Sequence, residues 1–412
     1  MKNTPAGIEN TERTLAHSHS GAGSAPDSLR EDTPAAEGGF NRRSLLKAST
    51  LMGGGGLIAQ AALGSRASAQ QTAPAGATGG EGQGRLTYKD ILAKARERLA
   101  PTCRVCPVCD GVACSGDSGG IAGSGTGMSF QNNFTALQHV KLLMRNVHDI
   151  TKADTSTTIF GHKISFPAVC APMGPAATKS GKGMSQQVWF DSIVGGCVAA
   201  GTLGAVGDNL TYPIEDVKRN LQVVARFQGK ALYNSKPIPN EIILKWQPEI
   251  DATGAAWLSI DVDSGPKSVA QLKELVKAFK MPVVVKGIMR VDDAVRCMDA
   301  GVRGIAVSNH GGRRQDHTAG VAEVLPAIAA KLKGKIPILT DGCVATGSDV
   351  LKYLALGADV VMVGRHILRA AYGGGAEGVE LFMNKMRTEL GSAMVLTGVG
   401  SISKIDGSIL YT

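Results

Sequence analysis

From about residue 155 onward, the sequence alternates short apolar segments with amphipathic stretches. The segments are three to six residues long, which suits strands buried in a sheet, and the stretches between them carry apolar residues at helical spacing. Eight such units in succession predict one α/β domain, a parallel (β/α)8 barrel. The predicted strands are Phe166–Cys170, Thr202–Val206, Lys230–Tyr233, Trp257–Val262, Pro282–Val285, Gly304–Val307, Pro337–Leu339 and Asp359–Val363.

An open, doubly wound sheet is the alternative arrangement for the same alternation. That fold binds dinucleotides through a Gly-x-Gly-x-x-Gly turn after its first strand. The segment from Pro172 to Ser180 follows the first predicted strand and lacks this pattern, so the barrel is favoured. Helices are predicted at Tyr88–Leu99, Val291–Ala300, Val321–Leu332 and Ser348–Leu356.

The first 69 residues have the layout of a secretion signal rather than of a folded domain. The pair Arg42-Arg43 precedes a weakly apolar stretch, Ala48–Leu63, and Ala67-Ser68-Ala69 has the small residues of a cleavage site. This order predicts a twin-arginine signal and a periplasmic protein, the alternative being a short amphipathic helix with two unrelated arginines. Twin-arginine export carries folded cargo, which favours an enzyme that acquires a cofactor before export. The predicted organisation is a signal region 1–69, a linker 70–86, an N-terminal extension 87–154 and the barrel 155–412.

Most of the net charge of +9 belongs to the folded part of the chain. Residues 1–69 contain seven of the 44 basic residues and six of the 35 acidic ones, so a net charge of +8 remains beyond them. The basic residues form no run with aromatic neighbours, which argues against nucleic acid as a partner and favours small anionic ligands. No run of about 18 or more apolar residues recurs, which excludes a polytopic membrane protein.

In a (β/α)8 barrel, the carboxyl ends of the strands and the loops that follow them converge on one face, where the chemistry takes place. At these positions the sequence has mostly polar residues and glycine, which a purely structural barrel does not require. They predict an active site at this face. The positions are Met173-Gly174, Gly207-Asp208, Tyr233-Asn234, Asp261, Asp263, Lys286, Asn309-His310, Asp341 and Gly364-Arg365.

Individual positions suggest separate tasks. Lys286 follows three valines, so we expect it to be partly buried and to face an anionic cofactor atom, unless it extends to the rim. His310 precedes two glycines and stands three residues before Arg313, a pairing that suits a general base beside a cation that binds carboxylates. Asp263 is expected to orient the histidine.

The last two predicted strands end in Asp341-Gly342 and in Gly364-Arg365. In barrels of this class, this corner is the usual phosphate site, because backbone N–H groups and a cation converge there. We therefore expect a phosphate-bearing cofactor at these residues.

The segment Ser308-Asn309-His310-Gly311-Gly312-Arg313, followed by Asp316, resembles the signature of the FMN-dependent α-hydroxy-acid oxidases and dehydrogenases. Val285-Lys286-Gly287, Asp341-Gly342 and Leu354–Ala358 fit the same register. This family includes glycolate oxidase, lactate oxidase and mandelate dehydrogenase. The resemblance covers most of the chain beyond residue 155.

The resemblance implies a flavin enzyme with FMN as its cofactor. His310 would take a proton from the substrate while the electrons pass to the flavin, Arg313 would hold the substrate carboxylate, and Asp263 would pair with the histidine. Tyr233 would contact the substrate, and Lys286 would lie near N1 and the C2 carbonyl of the flavin. The other flavin contacts that the resemblance implies are Pro172, Met173, Gly174, Asp208, Asp261, Ser308, Asp341, Gly342, Gly364 and Arg365, the last two at the phosphate.

Two departures from the family pattern concern the cofactor and the substrate. The loop after the seventh strand usually carries an arginine for the phosphate, and Ala345 stands at that position here. The loop after the fourth strand is usually long and carries a second substrate arginine, whereas here the segment Asp263–Lys267 leads almost directly into a helix. The resemblance therefore does not fix the substrate.

Four cysteines, Cys103, Cys106, Cys109 and Cys114, are clustered in the N-terminal extension, where the family has an aromatic-rich segment. Their C-x2-C-x2-C spacing suits a [4Fe–4S] cluster, although the fourth cysteine of ferredoxins usually serves another cluster. A structural zinc, two disulfides in an oxidising periplasm, and free thiols are the alternatives. An iron–sulfur cluster near the flavin would give electrons an exit other than oxygen.

These features predict a periplasmic FMN enzyme that oxidises an L-2-hydroxy acid, such as lactate or glycolate, to the 2-oxo acid. The electron acceptor is open between oxygen, a quinone and a cytochrome, and members of the family often form homotetramers. An isomerase similar to type 2 isopentenyl-diphosphate isomerase is the alternative within the same barrel class. A flavin-binding barrel without turnover is the alternative from another class.

Overall fold

Eight parallel strands form the barrel that the sequence predicted. They are β1 (Ala168–Cys170), β2 (Gly204–Asp208), β3 (Ala231–Ser235), β4 (Leu258–Asp261), β5 (Val283–Ile288), β6 (Gly304–Val307), β7 (Ile338–Thr340) and β8 (Val360–Val363). From β2 to β8 each strand pairs with the next, and β8 pairs with β1. A hydrogen bond of 3.0 Å from the backbone nitrogen of Cys170 to the carbonyl oxygen of Leu203 links β1 to the start of β2.

The computed structural model describes residues 86–116, 121–175, 183–208 and 210–411. The predicted signal region 1–69, and the predicted linker apart from Leu86, lie outside the described residues. None of the described helices combines the length and the apolar character that a membrane span requires.

Eleven helices occur in the described part of the chain, and most of them alternate with the strands. They are α1 (Tyr88–Leu99), α2 (Met128–His139), α3 (Gln186–Ala199), α4 (Ile214–Arg226), α5 (Asn240–Lys245), α6 (Gln247–Ala252), α7 (Val269–Ala278), α8 (Val291–Asp299), α9 (Val321–Leu332), α10 (Gly347–Ala355) and α11 (Arg365–Leu396). Capping boxes begin α1, α7 and α10. Gly374 and Gly375 interrupt α11 with non-helical backbone angles.

Both faces of the central strands are buried, which explains why these segments read as short apolar runs rather than as alternating patterns. Along β4, β5, β6 and β7, every residue except Gly287 is buried. The charged residues of these strands lie at their carboxyl ends. There Asp261 and Lys286 are buried, with 1% and 3% of their surface exposed. The fold therefore concentrates buried charge at the face where the sequence predicted an active site.

The N-terminal extension packs directly on the barrel. Its helix α1 buries Ile91, Ala95 and Leu99. A Cβ at Gly373 of α11 would overlap the carbonyl oxygen of Ile91, so glycine at this position lets the two helices approach closely. Two short antiparallel pairs complete the described fold, Thr157–Ile159 with His162–Ile164 and Lys141–Leu142 with Leu410–Tyr411.

Candidate active site

A buried lysine lies between two carboxylates at the carboxyl ends of β4 and β5. Lys286 Nζ is 3.1 Å from Asp261 Oδ1 and 3.3 Å from Asp263 Oδ2. Burial alone would lower the pKa of Lys286, but the charges of Asp261, Asp263 and Asp341 outweigh it and raise that pKa. Burial would likewise raise the pKa of Asp261, yet Lys286, His310 and Lys236 lower it. The lysine and Asp261 therefore form a permanently charged pair at neutral pH.

A backbone irregularity brings Asp263 into this group. Asp263 lies in a 3-10 turn, Val262–Ser264, directly after β4. The register of β5 against β6 shifts between Lys286 and Ile288, and Gly287 there has a φ of +106°. A Cβ on Gly287 would lie 2.7 Å from the backbone nitrogen of Asp263, so only glycine allows the turn to pack this closely on β5.

His310 faces the same carboxylates. Its Nδ1 lies 2.9 Å and 3.0 Å from the two oxygens of Asp263 and 3.5 Å from Asp261 Oδ2. Its side chain is 16% exposed, and its backbone has a φ of +59°, a conformation that few non-glycine residues adopt. A carboxylate at Nδ1 favours the tautomer with a proton there, which leaves the lone pair on Nε2. Nε2 has no hydrogen-bond partner among the described residues.

Three further cations surround this group. Lys236 Nζ is 2.6 Å from Asp261 Oδ2, and Arg314 Nε is 3.7 Å from Asp263 Oδ1. Arg313 makes no hydrogen bond or ion pair with the described part of the chain. Burial, together with the positive charges of Arg365 and Arg314, lowers the pKa of Arg313 to about 10. Arg313 thus stays protonated at neutral pH and can accept an anion.

A cavity of about 890 Å³ opens at this face of the barrel. This volume lies within the range that small-molecule and cofactor sites occupy. Of the residues predicted from the sequence, the cavity is lined by Pro172, Met173, Gly174, Lys286, His310, Arg313, Asp341, Gly342, Gly364 and Arg365. The backbone of Asp208 ends β2, but its side chain is outside what the structure describes.

Tyr233, predicted as the substrate tyrosine, is fully buried and does not line the cavity. In the register of β3 with β4, Asn234 pairs with Ser259, two residues before Asp261. Since side chains alternate along a strand, Asn234 shares the inner face with Asp261 and Tyr233 takes the outer face. Asn234 is therefore the β3 residue at the inner face of the barrel, although it does not line the cavity either. The structure thus gives no support to the substrate contact predicted for Tyr233.

Two buried oxygens, one on a residue that lines the cavity and one at the inner face of β3, have no hydrogen-bond partner among the described residues. They are Asn234 Oδ1 and Asp341 Oδ1. The other oxygen of Asp341 accepts a hydrogen bond of 2.7 Å from Ser308 Oγ, and burial raises the pKa of this carboxyl group. Unpaired buried acceptors are costly, so they indicate a ligand that carries N–H or O–H donors.

Arg365, predicted at the phosphate, ties three parts of the chain together. Its Nε donates to the carbonyl oxygen of Ile121 at 2.7 Å, and its Nη2 donates to that of Gly311 at 2.8 Å. Its guanidinium group stacks on the ring of Phe130, 3.6 Å from the centroid. Arg365 therefore lines the cavity and also links the N-terminal extension to the loop after β6.

The loop after β6, Ser308–Gly320, is here called the β6 loop, and α2 with its preceding loop holds it from outside. Ser124 N donates to the carbonyl oxygen of Gly312 at 2.8 Å, and Asn133 Nδ2 donates to Asn309 Oδ1 at 2.7 Å. A Cβ on Gly312 would overlap the backbone nitrogen of Phe130. The N-terminal extension thus presses against the segment that carries His310.

Asp316 adds a second set of contacts between the extension and the β6 loop. Its carboxylate accepts hydrogen bonds from Thr126 N at 2.6 Å, Thr126 Oγ1 at 2.8 Å and Ser129 N at 3.4 Å. Ser129 Oγ in turn donates to the carbonyl oxygen of Gln315 at 2.7 Å. These contacts restrict the loop that positions His310 and Arg313.

The four clustered cysteines do not surround a single metal-ion site. No disulfide joins them in the described part of the chain, and no three of their sulfurs there lie close enough together to share one metal ion. Cys103 and Cys109 line the cavity, whereas Cys106 and Cys114 do not. The geometry thus gives no support to the iron–sulfur cluster expected from the spacing.

Comparison with known proteins identifies the family. The model of the FMN-dependent dehydrogenases matches residues 121–265 and 238–412. The 2-hydroxyacid oxidase of Dictyostelium discoideum is 32% identical over 327 residues, which cover 70% of this chain and 84% of that protein. The chain belongs to the FMN-dependent dehydrogenase family. It is an oxidoreductase of the 2-hydroxyacid oxidase type, which acts on CH–OH groups.

Other relatives share this family membership. The 4-hydroxymandelate oxidase of Amycolatopsis orientalis is 32% identical, covering 68% of this chain and 89% of that protein. The L-lactate oxidase of Lactobacillus jensenii is 29% identical, covering 69% and 78%. A crystal structure of mandelate oxidase with (S)-2-phenylpropionate superimposes with a TM-score of 0.65 at 26% identity, covering 80% of this chain and 98% of that one. The family resemblance seen in the sequence is confirmed.

Sequence reasoning missed three side chains at the site, Lys236, Phe130 and Arg314, whereas it named Asn234 beside Tyr233 at a strand end without giving it a role. Lys236 follows β3 by one residue, so a prediction of a longer third strand would have placed it at the correct face. Phe130 comes from the N-terminal extension, and no local pattern ties it to the barrel.

We expect Gly312→Ala to lower the free energy of unfolding by about 3 kcal/mol or more, because a left-handed backbone and an overlap with Phe130 act together. Gly334→Ala is the matched control, since Gly334 has a similar φ of +79° but no atom within 4 Å of the added Cβ. The control should cost about 1 kcal/mol. Urea unfolding of both variants measures this difference. Equal decreases in the free energy of unfolding would contradict the close approach of Gly312 to Phe130.

The Asp316 contacts predict a pH-dependent contribution to stability. Burial would raise the pKa of Asp316, but hydrogen bonds from Thr126, His317 and Ser129 lower it to about 2. Because the folded pKa lies below the unfolded value of about 3.9, the contribution is complete above that value and is lost as pH falls toward 2. The difference in Tm between the native protein and Asp316→Asn should therefore shrink between about pH 5 and pH 2. A difference that stays constant over this range would contradict the role of Asp316.

Proposed function

We propose that this enzyme oxidises a small L-2-hydroxy acid, such as lactate or glycolate, to the corresponding 2-oxo acid. The observation that carries the proposal is the arrangement of His310. Its Nδ1 is held at 2.9 Å by Asp263, and the other ring nitrogen is left without a protein partner among the described residues. Arg313, a cation without an anionic partner in the same part of the chain, stands three residues further along.

The residues of the cavity fit FMN. The isoalloxazine ring carries an N–H donor and the ribityl chain carries hydroxyl groups, which match the unpaired buried oxygens of Asn234 and Asp341. Lys286 offers a buried positive charge, and Arg365 lines the same cavity. Pro172, Met173, Gly174 and Gly364 offer backbone groups beside them. When bound, FMN supplies the acceptor for the electron pair that leaves the substrate.

The chain's own groups account for the binding and the proton transfer. Arg313 would hold the substrate carboxylate through charge-assisted hydrogen bonds. His310 Nε2 would take the hydroxyl proton, and the carboxylates of Asp263 and Asp261 would stabilise the imidazolium that forms. Lys286 offsets the negative charge of these carboxylates, so the cluster stays compact before and after the proton moves. The low exposure of Lys286, Asp261, Asp263 and His310 reduces the screening of their charges and strengthens each interaction.

The proposed substrate class is supported by relatives whose names include L-lactate oxidase and 4-hydroxymandelate oxidase. Oxygen is the acceptor that these oxidase names favour, with a quinone and a cytochrome as the alternatives to be tested. We further propose that the enzyme is a homotetramer and that its first 69 residues direct it to the periplasm, since they have the twin-arginine layout.

Anaerobic mixing of the FMN-loaded enzyme with L-lactate, glycolate and L-mandelate tests the proposal. We expect at least one of these acids to bleach the flavin absorbance near 450 nm. Exposure of the bleached enzyme to oxygen, a quinone or cytochrome c then identifies the acceptor by its rate of reoxidation. Absence of bleaching with every 2-hydroxy acid would contradict the proposed reaction.

His310→Ala should keep the flavin but slow its anaerobic reduction by about a thousandfold, because the base is lost. His317→Ala is the control, since His317 belongs to the same loop but has a side chain that is 71% exposed. It should reduce at the native rate. If His310→Ala were reduced as fast as the control, the histidine would not be the base.

A further inference from the structure

Two of the clustered cysteines converge on a buried arginine at the wall of the cavity. Arg369, in α11, donates from Nη2 to Cys109 Sγ at 3.0 Å, and the same nitrogen lies 3.9 Å from Cys103 Sγ. Its Nη1 donates to the carbonyl oxygen of Cys106 at 3.3 Å. Both sulfurs line the cavity that also contains His310. The two thiols are therefore neighbours of one another and are within reach of small molecules in the cavity.

Arg369 has no carboxylate partner among the described residues, although only 4% of its surface is exposed. A guanidinium group remains charged in proteins, and a buried charge is stabilised by a nearby anion. The groups in contact with Arg369 that can become anionic are the thiols of Cys103 and Cys109. The arginine therefore favours any reaction in which one of these thiols passes through a thiolate.

The surroundings of the other cysteines differ. Burial and the carboxylate of Asp293 raise the pKa of Cys297 to about 12, and burial raises that of Cys170. Burial also raises the pKa of Cys109, and the charges of Arg369 and Arg365 offset only part of that rise. A place at the cavity wall and two nearby guanidinium groups thus distinguish Cys109 from Cys297 and Cys170.

We propose that Cys109 and Cys103 form a redox-active dithiol that a hydroperoxide oxidises to a disulfide. The Cys109 sulfur attacks one oxygen of the peroxide, the O–O bond breaks, and a sulfenic acid and one water form. The Cys103 sulfur then attacks the sulfenic sulfur, the S–O bond breaks, and a second water leaves. Two thiols and one hydrogen peroxide thus give one disulfide and two waters.

The chemistry of the cavity offers a source for the oxidant. If oxygen is the electron acceptor, each turnover releases hydrogen peroxide beside these thiols, a link that rests on the proposed function. The dithiol itself does not depend on that link, because added hydrogen peroxide is a sufficient oxidant. Failure of the dithiol and failure of hydroxy-acid oxidation are therefore separate results.

The sequence offers a direct assay. Trypsin cleaves after Arg98, Arg104 and Lys141, so Cys103 lies in the peptide 99–104 and the other three clustered cysteines lie in the peptide 105–141. The full-length protein is first reduced, then treated with a small excess of hydrogen peroxide, blocked with N-ethylmaleimide and digested without reductant. We expect mass spectrometry to find these two peptides joined, and dithiothreitol to separate them.

Single variants identify the sulfurs involved. Cys103→Ser and Cys109→Ser should abolish the joined peptides, whereas the matched controls Cys106→Ser and Cys114→Ser should keep them. Arg369→Gln should slow the reaction about tenfold, and Arg369→Lys, which keeps the charge, should restore most of the rate. A requirement for Cys106 or Cys114, or iron or zinc bound at one equivalent per chain in the purified protein, would overturn the proposal.

Discussion

The active site depends on the buried ammonium group of Lys286. Two carboxylates could not remain ionised this close together in the barrel without a cation between them, because burial disfavours each charge separately. Lys286, whose Nζ lies 3.1 Å from an oxygen of Asp261 and 3.3 Å from one of Asp263, balances the negative charge of the two carboxylates that face His310. Lys286 thus allows two carboxylates to lie beside His310. There they can orient the histidine as a base and stabilise it once it is protonated.

The fold supplies this arrangement through the ends of neighbouring strands. Asp261 and Lys286 are register partners on β4 and β5, so their proximity follows from parallel pairing alone. Asp263 reaches Lys286 only because Gly287 has no side chain, which lets the turn after β4 pack closely on β5. His310 comes from the next loop, which α2 and the residues before it hold in place from outside the barrel. The N-terminal extension is thus part of the site, although it lies outside the repeating strand–helix pattern.

Much of this could be predicted from the sequence, because strand ends in a parallel barrel must meet at one face. The barrel followed from the eightfold alternation and the family from the resemblance of Ser308–Arg313, while that rule predicted that Lys286, His310, Asp263 and Asp341 share one face. The rule named Tyr233 and Asn234 together and did not decide which of them faces inward, since a shift of one residue moves a side chain to the other face of a sheet. The resemblance gave the substrate contact to Tyr233, whereas the register places Asn234 at the inner face. Long-range contacts, such as those of Phe130 and Arg369, depend on packing between distant segments and leave no local pattern.

The coupling between Asp263 and His310 is measured most directly by a double-mutant cycle on the rate of anaerobic flavin reduction by a 2-hydroxy acid. The four proteins are the native enzyme, Asp263→Asn, His310→Ala and the double variant. If Asp263 acts by orienting His310 and stabilising its protonated form, Asp263→Asn should strongly lower the rate of flavin reduction in the native enzyme. The same substitution should not lower the rate further in the His310→Ala variant. If Asp263→Asn lowered the rate of flavin reduction by the same factor in the native enzyme and in His310→Ala, the carboxylate would act independently of the histidine. That result would contradict the account.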